Sequence, residues 1–146
     1  GQKLAQQDPA NSGWQRDVSV SLEKVGDVLL AQGKLDQALE VYQQSREIRQ
    51  KLAQQDPSNV LWKTDLVLSL WKIASVLERQ GAPQKREAGV NYKRALEILR
   101  HLAVENRLTA DQNTWMSRLE ARLKAITEEP AKGPNDNSPG TGGGSR

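Results

Sequence analysis

Apolar residues near the start of the chain recur at the spacing of one helical face. The steps between them are four, four, three and four residues in Trp14, Val18, Leu22, Val25 and Leu29. Asn11 and Ser12 precede this run as candidate N-caps, and Gly33 follows it as a stop signal. The pattern therefore predicts a helix over residues 13–32.

A second helical pattern begins directly after that glycine. Its apolar positions are Leu35, Ala38, Leu39, Tyr42, Ile48 and Leu52. Asp56-Pro57 ends the pattern, because the residue before a proline is pushed out of the α region. A helix is thus predicted over residues 35–54, antiparallel to the first.

The same hairpin then recurs. The heptapeptide Lys-Leu-Ala-Gln-Gln-Asp-Pro stands at residues 3–9 and again at residues 51–57, 48 positions later. Adding 48 to the apolar positions of the first helix gives only apolar residues: Trp62, Leu66, Leu70, Ile73 and Leu77. The second hairpin is predicted at residues 61–80 and 86–104. A fixed period of this size indicates stacked copies of one helical unit.

A third copy starts but has no partner helix. Trp115, Leu119, Leu123 and Ile126 repeat the spacing of the first helix, and Thr109 is a candidate N-cap. The helix predicted at residues 110–127 has polar residues between its apolar ones, which suits a terminal cap.

These patterns divide the chain into five parts. We assign residues 1–12 to the end of a preceding repeat helix and its turn, 13–57 to repeat one and 58–106 to repeat two. Residues 107–129 form a capping helix, and 130–146 are predicted to be disordered because Gly, Pro, Ser and Asn bury little. The opening on a repeat end, without Met, is expected for a piece of a longer protein.

Some residues within the hairpin identify its type more specifically than the apolar pattern does. Small residues at Gly26 and Ala38 let the two helices approach closely, and Tyr42 fills the gap to the next repeat. The order and spacing of these residues resemble the tetratricopeptide-repeat family, most specifically in the ten residues from Gly33 to Tyr42. Repeat two keeps the pattern with Ala74, Gly81, Ala88 and Tyr92. The resemblance covers roughly residues 14–126.

The resemblance implies an all-α fold, a right-handed helix-hairpin solenoid with two full repeats and a C-terminal cap helix. The usual repeat of the family is about 34 residues long, against 48 here. Repeats of this length resemble those of large multidomain bacterial scaffold and signalling proteins, which implies a cytoplasmic location. Helix-pair repeats of the HEAT type are the alternative at this period, but they lack the glycine, alanine and tyrosine spacing.

Composition narrows the choice of partners. The formal net charge is +3, and basic residues are interleaved with acidic ones. Nucleic-acid binders usually concentrate their basic residues into a patch, so no nucleic-acid partner is predicted. No apolar run approaches the roughly 20 residues of a membrane span, so no membrane partner is predicted.

Few residues are available for chemistry. The chain has no cysteine, which excludes disulfides and thiolate metal sites, and His101 is its one histidine. Asp8 and Asp56 are equivalent turn residues before proline. We therefore predict no enzyme activity, no metal and no cofactor.

The prediction of a binding site rests on the positions of the tryptophans. Trp14, Trp62 and Trp115 hold one repeat position and are predicted to be buried, whereas Trp71 stands where repeat one has Glu23. In tetratricopeptide repeats that position faces the concave groove. By resemblance, a peptide-binding groove would be lined by Val20, Glu23, Lys24, Asp27, Leu68, Trp71, Lys72, Ser75, Glu78, Arg79 and Lys124. An aromatic residue among charges is typical of an interface anchor; the alternative is that Trp71 packs locally against the cap helix.

Two functions remain open at this point. The first is a protein–protein interaction module that binds a peptide or helical segment in the groove. The alternative is a structural spacer that self-associates by end-to-end stacking of repeats, a homo-oligomer formed through the N-terminal repeat face. Clamping of a peptide carboxylate is not expected, because Glu23 and Asp27 stand where that binding mode needs Lys and Asn and would repel the charge.

Overall fold

The computed structural model describes residues 9–128, which form five α-helices and no strand. The helices are α1 (Pro9–Ala31), α2 (Leu35–Gln55), α3 (Val60–Gln80), α4 (Lys85–Val104) and α5 (Ala110–Thr127), with a 3-10 turn at Ala82–Gln84. Each helix packs mainly on the helices before and after it in sequence. The all-helical prediction is confirmed for this part of the chain. The predicted disordered tail at 130–146 lies outside the described residues.

Most of the predicted helix ends are confirmed. Gly33 has a φ of 77°, and its N–H donates to the carbonyl of Leu30 while Lys34 N–H donates to Leu29. This left-handed residue closes α1 as glycine commonly does. Thr109 caps α5, because its hydroxyl accepts from the backbone N–H of Gln112 and that side chain accepts from Thr109 N–H.

The predicted start of the first helix is wrong. Asn11 and Ser12, expected as N-caps, lie inside α1, which begins at Pro9. Proline is favoured at the first helical position, because its fixed φ suits the helix and its missing N–H needs no intrahelical partner. The helix therefore extends back to Pro9, and Ser12 is buried.

The hydrophobic core is centred on α3 and α4. The predicted apolar positions Leu66, Leu70, Ile73 and Leu77 of α3 are all buried. From α4, Tyr92, Leu96 and Leu99 join them with 1% exposure or less. Helix α3 is buried widely because it lies between α2 and α4, which both pack against it.

Helix α1 differs from α3 in the burial of equivalent residues. Trp14 is 67% exposed, Val25 49% and Val28 56%, whereas Ile73 and Val76, the counterparts of the two valines, are at most 1% exposed. On that side of α3, Arg49 of α2 donates to Ser69. Within residues 9–128 no helix covers the same side of α1. The predicted burial of Trp14 is therefore wrong, while Trp62 and Trp115 are half-buried.

Gly26 is a point of close approach between α1 and α2. A Cβ placed there would overlap the ring of Tyr42, whose hydroxyl donates to Asp27 at 2.5 Å. We expect Gly26→Val to lower the free energy of unfolding by about 1–3 kcal/mol, measured by urea denaturation. The control is Gly13→Val in the same helix, which meets no atom within 4 Å and should change stability by at most about 0.5 kcal/mol. Equal effects would mean that the Tyr42 ring moves aside freely.

Candidate functional site

Helices α1, α3 and α5 are joined side by side by charged side chains. Between α1 and α3, Arg16 donates to Asp65 at 2.7 Å, and Lys72 donates to Glu23 at 2.8 Å. Between α3 and α5, Arg122 pairs with Glu78. We call this side of the molecule the α1–α3–α5 surface, and it carries most of the residues predicted to line a groove.

The α1 half of this surface rests on a buried arginine. Arg49 of α2 is 2% exposed, and its Nε donates to Ser19 at 3.1 Å. Its Nη1 pairs with Glu23 and donates to the hydroxyl of Ser69 at 3.0 Å and the carbonyl of Asp65 at 3.1 Å. A buried charge is stable only when it is paired and hydrogen-bonded, and Arg49 meets both conditions.

The two acidic residues predicted for the groove are engaged by this part of the fold. Glu23 is shared between Arg49 and Lys72, and Asp27 accepts from Lys72 at 2.9 Å and from the Tyr42 hydroxyl. Burial of Tyr42, followed by its bond to Asp27, raises the pKa of that phenol far above its ordinary value. The negative charge of the α1 half is therefore largely neutralised by the protein itself.

Repeat two replaces this polar arrangement with an apolar one. The counterparts of Ser19, Glu23 and Arg49 are Val67, Trp71 and Leu99, and Val67 and Leu99 are fully buried. Trp71 is half-buried. The position that holds an ion pair in repeat one thus holds an aromatic ring in repeat two.

Trp71 contacts the cap helix on one side. Its ring lies 6.2 Å from that of Trp115, at an interplanar angle of 75°, which is the edge-to-face arrangement. The guanidinium of Arg118 lies 5.0 Å from the Trp71 ring centroid, within cation–π distance. Local packing of Trp71 against α5 is therefore present, and the remainder of the side chain stays accessible.

Two neighbouring depressions share Trp71 as a wall. The first, of about 280 Å³, is lined by Leu68, Trp71, Lys72, Ser75, Trp115 and Arg118. The second, of about 330 Å³, is lined by Trp71, Ser75, Glu78, Arg79, Tyr92 and Arg122. Every residue of repeat two that was predicted for the groove lines one of them.

Sequence reasoning missed the contribution of the cap helix. Trp115, Arg118 and Arg122 line the depressions, and only Lys124 had been predicted from α5. The three stand at positions i, i+3 and i+7, a spacing that places side chains on one helical face and offered a signal. Lys124 is exposed and follows Arg122 by two residues, which puts it on the opposite side of α5.

The remaining predicted residues lie on α1. Val20 is half-buried, and Lys24 is exposed. Neither lines the two depressions beside Trp71. The structure therefore gathers the predicted site around α3 and α5 and leaves its α1 members outside the depressions.

The charge beside Trp71 is basic. Glu78 accepts from the Tyr92 hydroxyl at 2.7 Å and pairs with Arg122, so its negative charge is balanced. Burial raises the pKa of Tyr92 above its ordinary value, and the phenol stays a neutral donor. Arg79 and Arg118 are exposed, and neither forms an ion pair within the described chain. A ligand on this surface would meet an aromatic ring, with one exposed cation lining each of the two depressions.

A larger depression lies elsewhere and was not predicted. It measures about 680 Å³, where the end of α2 meets the start of α3 and the second half of α4. It is lined by Ala53, Lys63, Leu66, Arg94, Glu97, Ile98, Arg100 and His101. The lining has no aromatic ring apart from the exposed imidazole of His101, so it offers less of the contact area that protein interfaces favour.

Two other kinds of site are absent from the described part of the chain. Among residues 9–128, no group of three or more His, Asp or Glu side chains is arranged to hold a metal ion. In the same range, no helix has both the length and the apolar character needed to cross a membrane.

The described residues form an all-helical structure in which each of the five helices packs on its neighbours in sequence. The chain matches no protein-family model, no curated protein and no solved structure.

Proposed function

We propose that the chain is a protein–protein interaction module of the tetratricopeptide type, with no catalytic activity, metal or cofactor of its own. Helices α1, α3 and α5 would be the A helices of a right-handed solenoid, with α5 as its cap. The 48-residue period, the Gly26–Tyr42 contact and the ion pairs along the α1–α3–α5 surface support this proposal. On the resemblance alone, we assign the module to a larger bacterial scaffold or signalling protein of the cytoplasm.

The observation that carries the proposal is the position of Trp71. Its ring is shared by two depressions, one of which is also lined by Arg79 and the other by Arg118. Tryptophan and arginine are the residues most enriched among those that dominate binding energy at interfaces. Trp71 would be the anchor against which a partner side chain packs.

The charges indicate the chemistry of the partner. Since Glu23, Asp27 and Glu78 are already paired, the exposed charges that line the two depressions without an ion pair are those of Arg79 and Arg118. Complementary charge across an interface speeds association and excludes wrong partners. The ligand is then a peptide or helical segment of a protein that combines acidic residues with an apolar or aromatic side chain.

A peptide-display selection against the intact chain tests this function. Peptides from a random library should converge on acidic residues flanking an aromatic or aliphatic one. Trp71→Ala should weaken the binding of selected peptides by about 2 kcal/mol or more, measured by calorimetry. Because Trp71 also packs on Trp115, the helicity and the unfolding midpoint of the variant are measured alongside its binding.

A surface pair of variants separates binding from folding. Arg79→Glu removes an exposed cation beside Trp71, and Arg86→Glu removes an exposed cation from α4, away from that surface. We expect Arg79→Glu to weaken binding at least about tenfold and Arg86→Glu to leave it within about twofold. Peptides that bind both variants and Trp71→Ala as tightly as the original chain would contradict the proposed site.

A further inference from the structure

The outer side of α1 carries a coiled-coil stripe. Trp14, Val18, Ser21, Val25 and Val28 are separated by four, three, four and three residues, which is the spacing of heptad core positions. Trp14, Val25 and Val28 on this stripe are about half exposed or more. Large apolar side chains aligned along one exposed helix face mark an interaction surface more often than scattered ones do.

Repeat two shows which kind of element packs against the equivalent side of its first helix. The same side of α3 is covered by the antiparallel helix α2, and Ile73 and Val76 are buried there. The stripe spans about 21 Å from Trp14 to Val28, so the element that fits it is an antiparallel helix of similar length.

We propose that this helix is α1 of a second copy of the chain, and that the two α1 helices pack antiparallel about a two-fold axis near Ser21. An interface of this symmetry uses the same patch on both subunits and closes on itself. The small side chain of Ser21 at the centre allows the helices to approach.

Charge complementarity selects the second copy and the antiparallel orientation. Asp17 and Lys24 each stand directly before a core position of the stripe, along one edge. Both are exposed, and neither forms an ion pair or a side-chain hydrogen bond within residues 9–128. In an antiparallel pair this edge meets itself, so Asp17 of each copy faces Lys24 of the other. In a parallel pair it would meet the edge that carries Gln15 and Leu22, which has no charge to offer.

The dimer would carry two binding surfaces. The stripe lies on the side of α1 opposite Glu23, which faces α3 through Lys72. The Trp71 surfaces of both copies would therefore stay open, and the module would be bivalent. Dimerisation does not depend on what binds at Trp71.

Sedimentation equilibrium of the full chain tests the dimer. The weight-average mass should rise from monomer towards dimer with concentration and should not exceed it. Val25→Glu should raise the dissociation constant at least about tenfold, because a buried unpaired carboxylate opposes association. The matched control, Val90→Glu, alters a similarly exposed valine of α4 and should leave the dissociation constant unchanged.

A charge exchange tests the orientation. Asp17→Lys and Lys24→Asp should each raise the dissociation constant about threefold or more at low salt, since each faces like charges across the axis. The double variant Asp17→Lys/Lys24→Asp should restore the original value.

A monomer at every concentration, a double variant weaker than both singles, or an equal effect of Val90→Glu would each overturn the proposal. A helix supplied by a different protein would then be the occupant. Trp71→Ala should leave the dissociation constant unchanged, which keeps this test separate from that of the peptide site.

Discussion

Replacing Arg49 by alanine is expected to lower the free energy of unfolding by about 3–5 kcal/mol. The side chain is 2% exposed and pairs with Glu23 while it donates to Ser19, Ser69 and the Asp65 carbonyl. Its removal takes one donor from each of these groups and opens a cavity between α1, α2 and α3. Urea denaturation followed by helical circular dichroism measures the loss.

The control for Arg49 is an arginine of the same kind at the surface. Arg100 pairs with Glu120 at 2.9 Å, and both side chains are at least half exposed. Exposed pairs of this type contribute at most about 1 kcal/mol, so Arg100→Ala should have a small effect. A loss at Arg49 no greater than that at Arg100 would mean that the buried arginine is solvated in solution.

The buried residues of repeat two suggest a variant that should recover much of the stability lost in Arg49→Ala. Ser19→Val, Ser45→Ala and Arg49→Leu together copy the buried residues Val67, Ala95 and Leu99 into repeat one. Replacing a buried ion pair by well-packed apolar residues is often neutral or stabilising. Glu23 would keep its bond to Lys72 at 2.8 Å. The triple variant should therefore be more stable than Arg49→Ala.

Leu70→Ala should lower the free energy of unfolding by about 3–5 kcal/mol. Leu70 has no exposed surface and lies in the core between α2 and α4, so its truncation leaves a cavity. The matched control is Leu22→Ala, the same substitution at the equivalent position of α1, where the leucine is half-buried. We expect less than half the effect there. Equal losses would show that α1 is covered in solution as fully as α3.

The contrast between Leu70 and Leu22 shows how much of the burial can be predicted from the sequence alone. The period in the sequence identifies the apolar face of each helix, and Leu66, Leu70 and Ile73 are buried as predicted. It does not tell whether another helix covers that face, and Trp14 is exposed for this reason. Periodicity is a property of one helix, whereas burial depends on its neighbours.

The polar core was harder to predict. Nothing in the local pattern of α2 distinguishes Arg49 from a surface arginine, because its charge suggests exposure. The one available signal was its apolar counterpart Leu99 in repeat two. The acidic partner Glu23 was accordingly predicted to face a ligand, whereas the structure pairs it with Arg49 and Lys72.

The candidate site was predictable in part. Trp71 attracted notice because it departs from the repeat, and its neighbours on α3 followed from helical spacing. Its contacts with Trp115 and Arg118 depend on how α5 packs beside α3, which no spacing within α3 encodes. The cap helix therefore contributes more to the site than the sequence indicated.

The most direct test of partner binding at Trp71 uses the four tryptophan indole N–H signals of the ¹⁵N-labelled chain. These signals are assigned by single substitution and followed while a display-selected acidic peptide is added. The predicted result is a saturable shift of the Trp71 and Trp115 signals, with that of Trp14 unchanged. Shifts confined to Trp14, or to backbone signals around His101 in the larger depression, would contradict binding at the α1–α3–α5 surface.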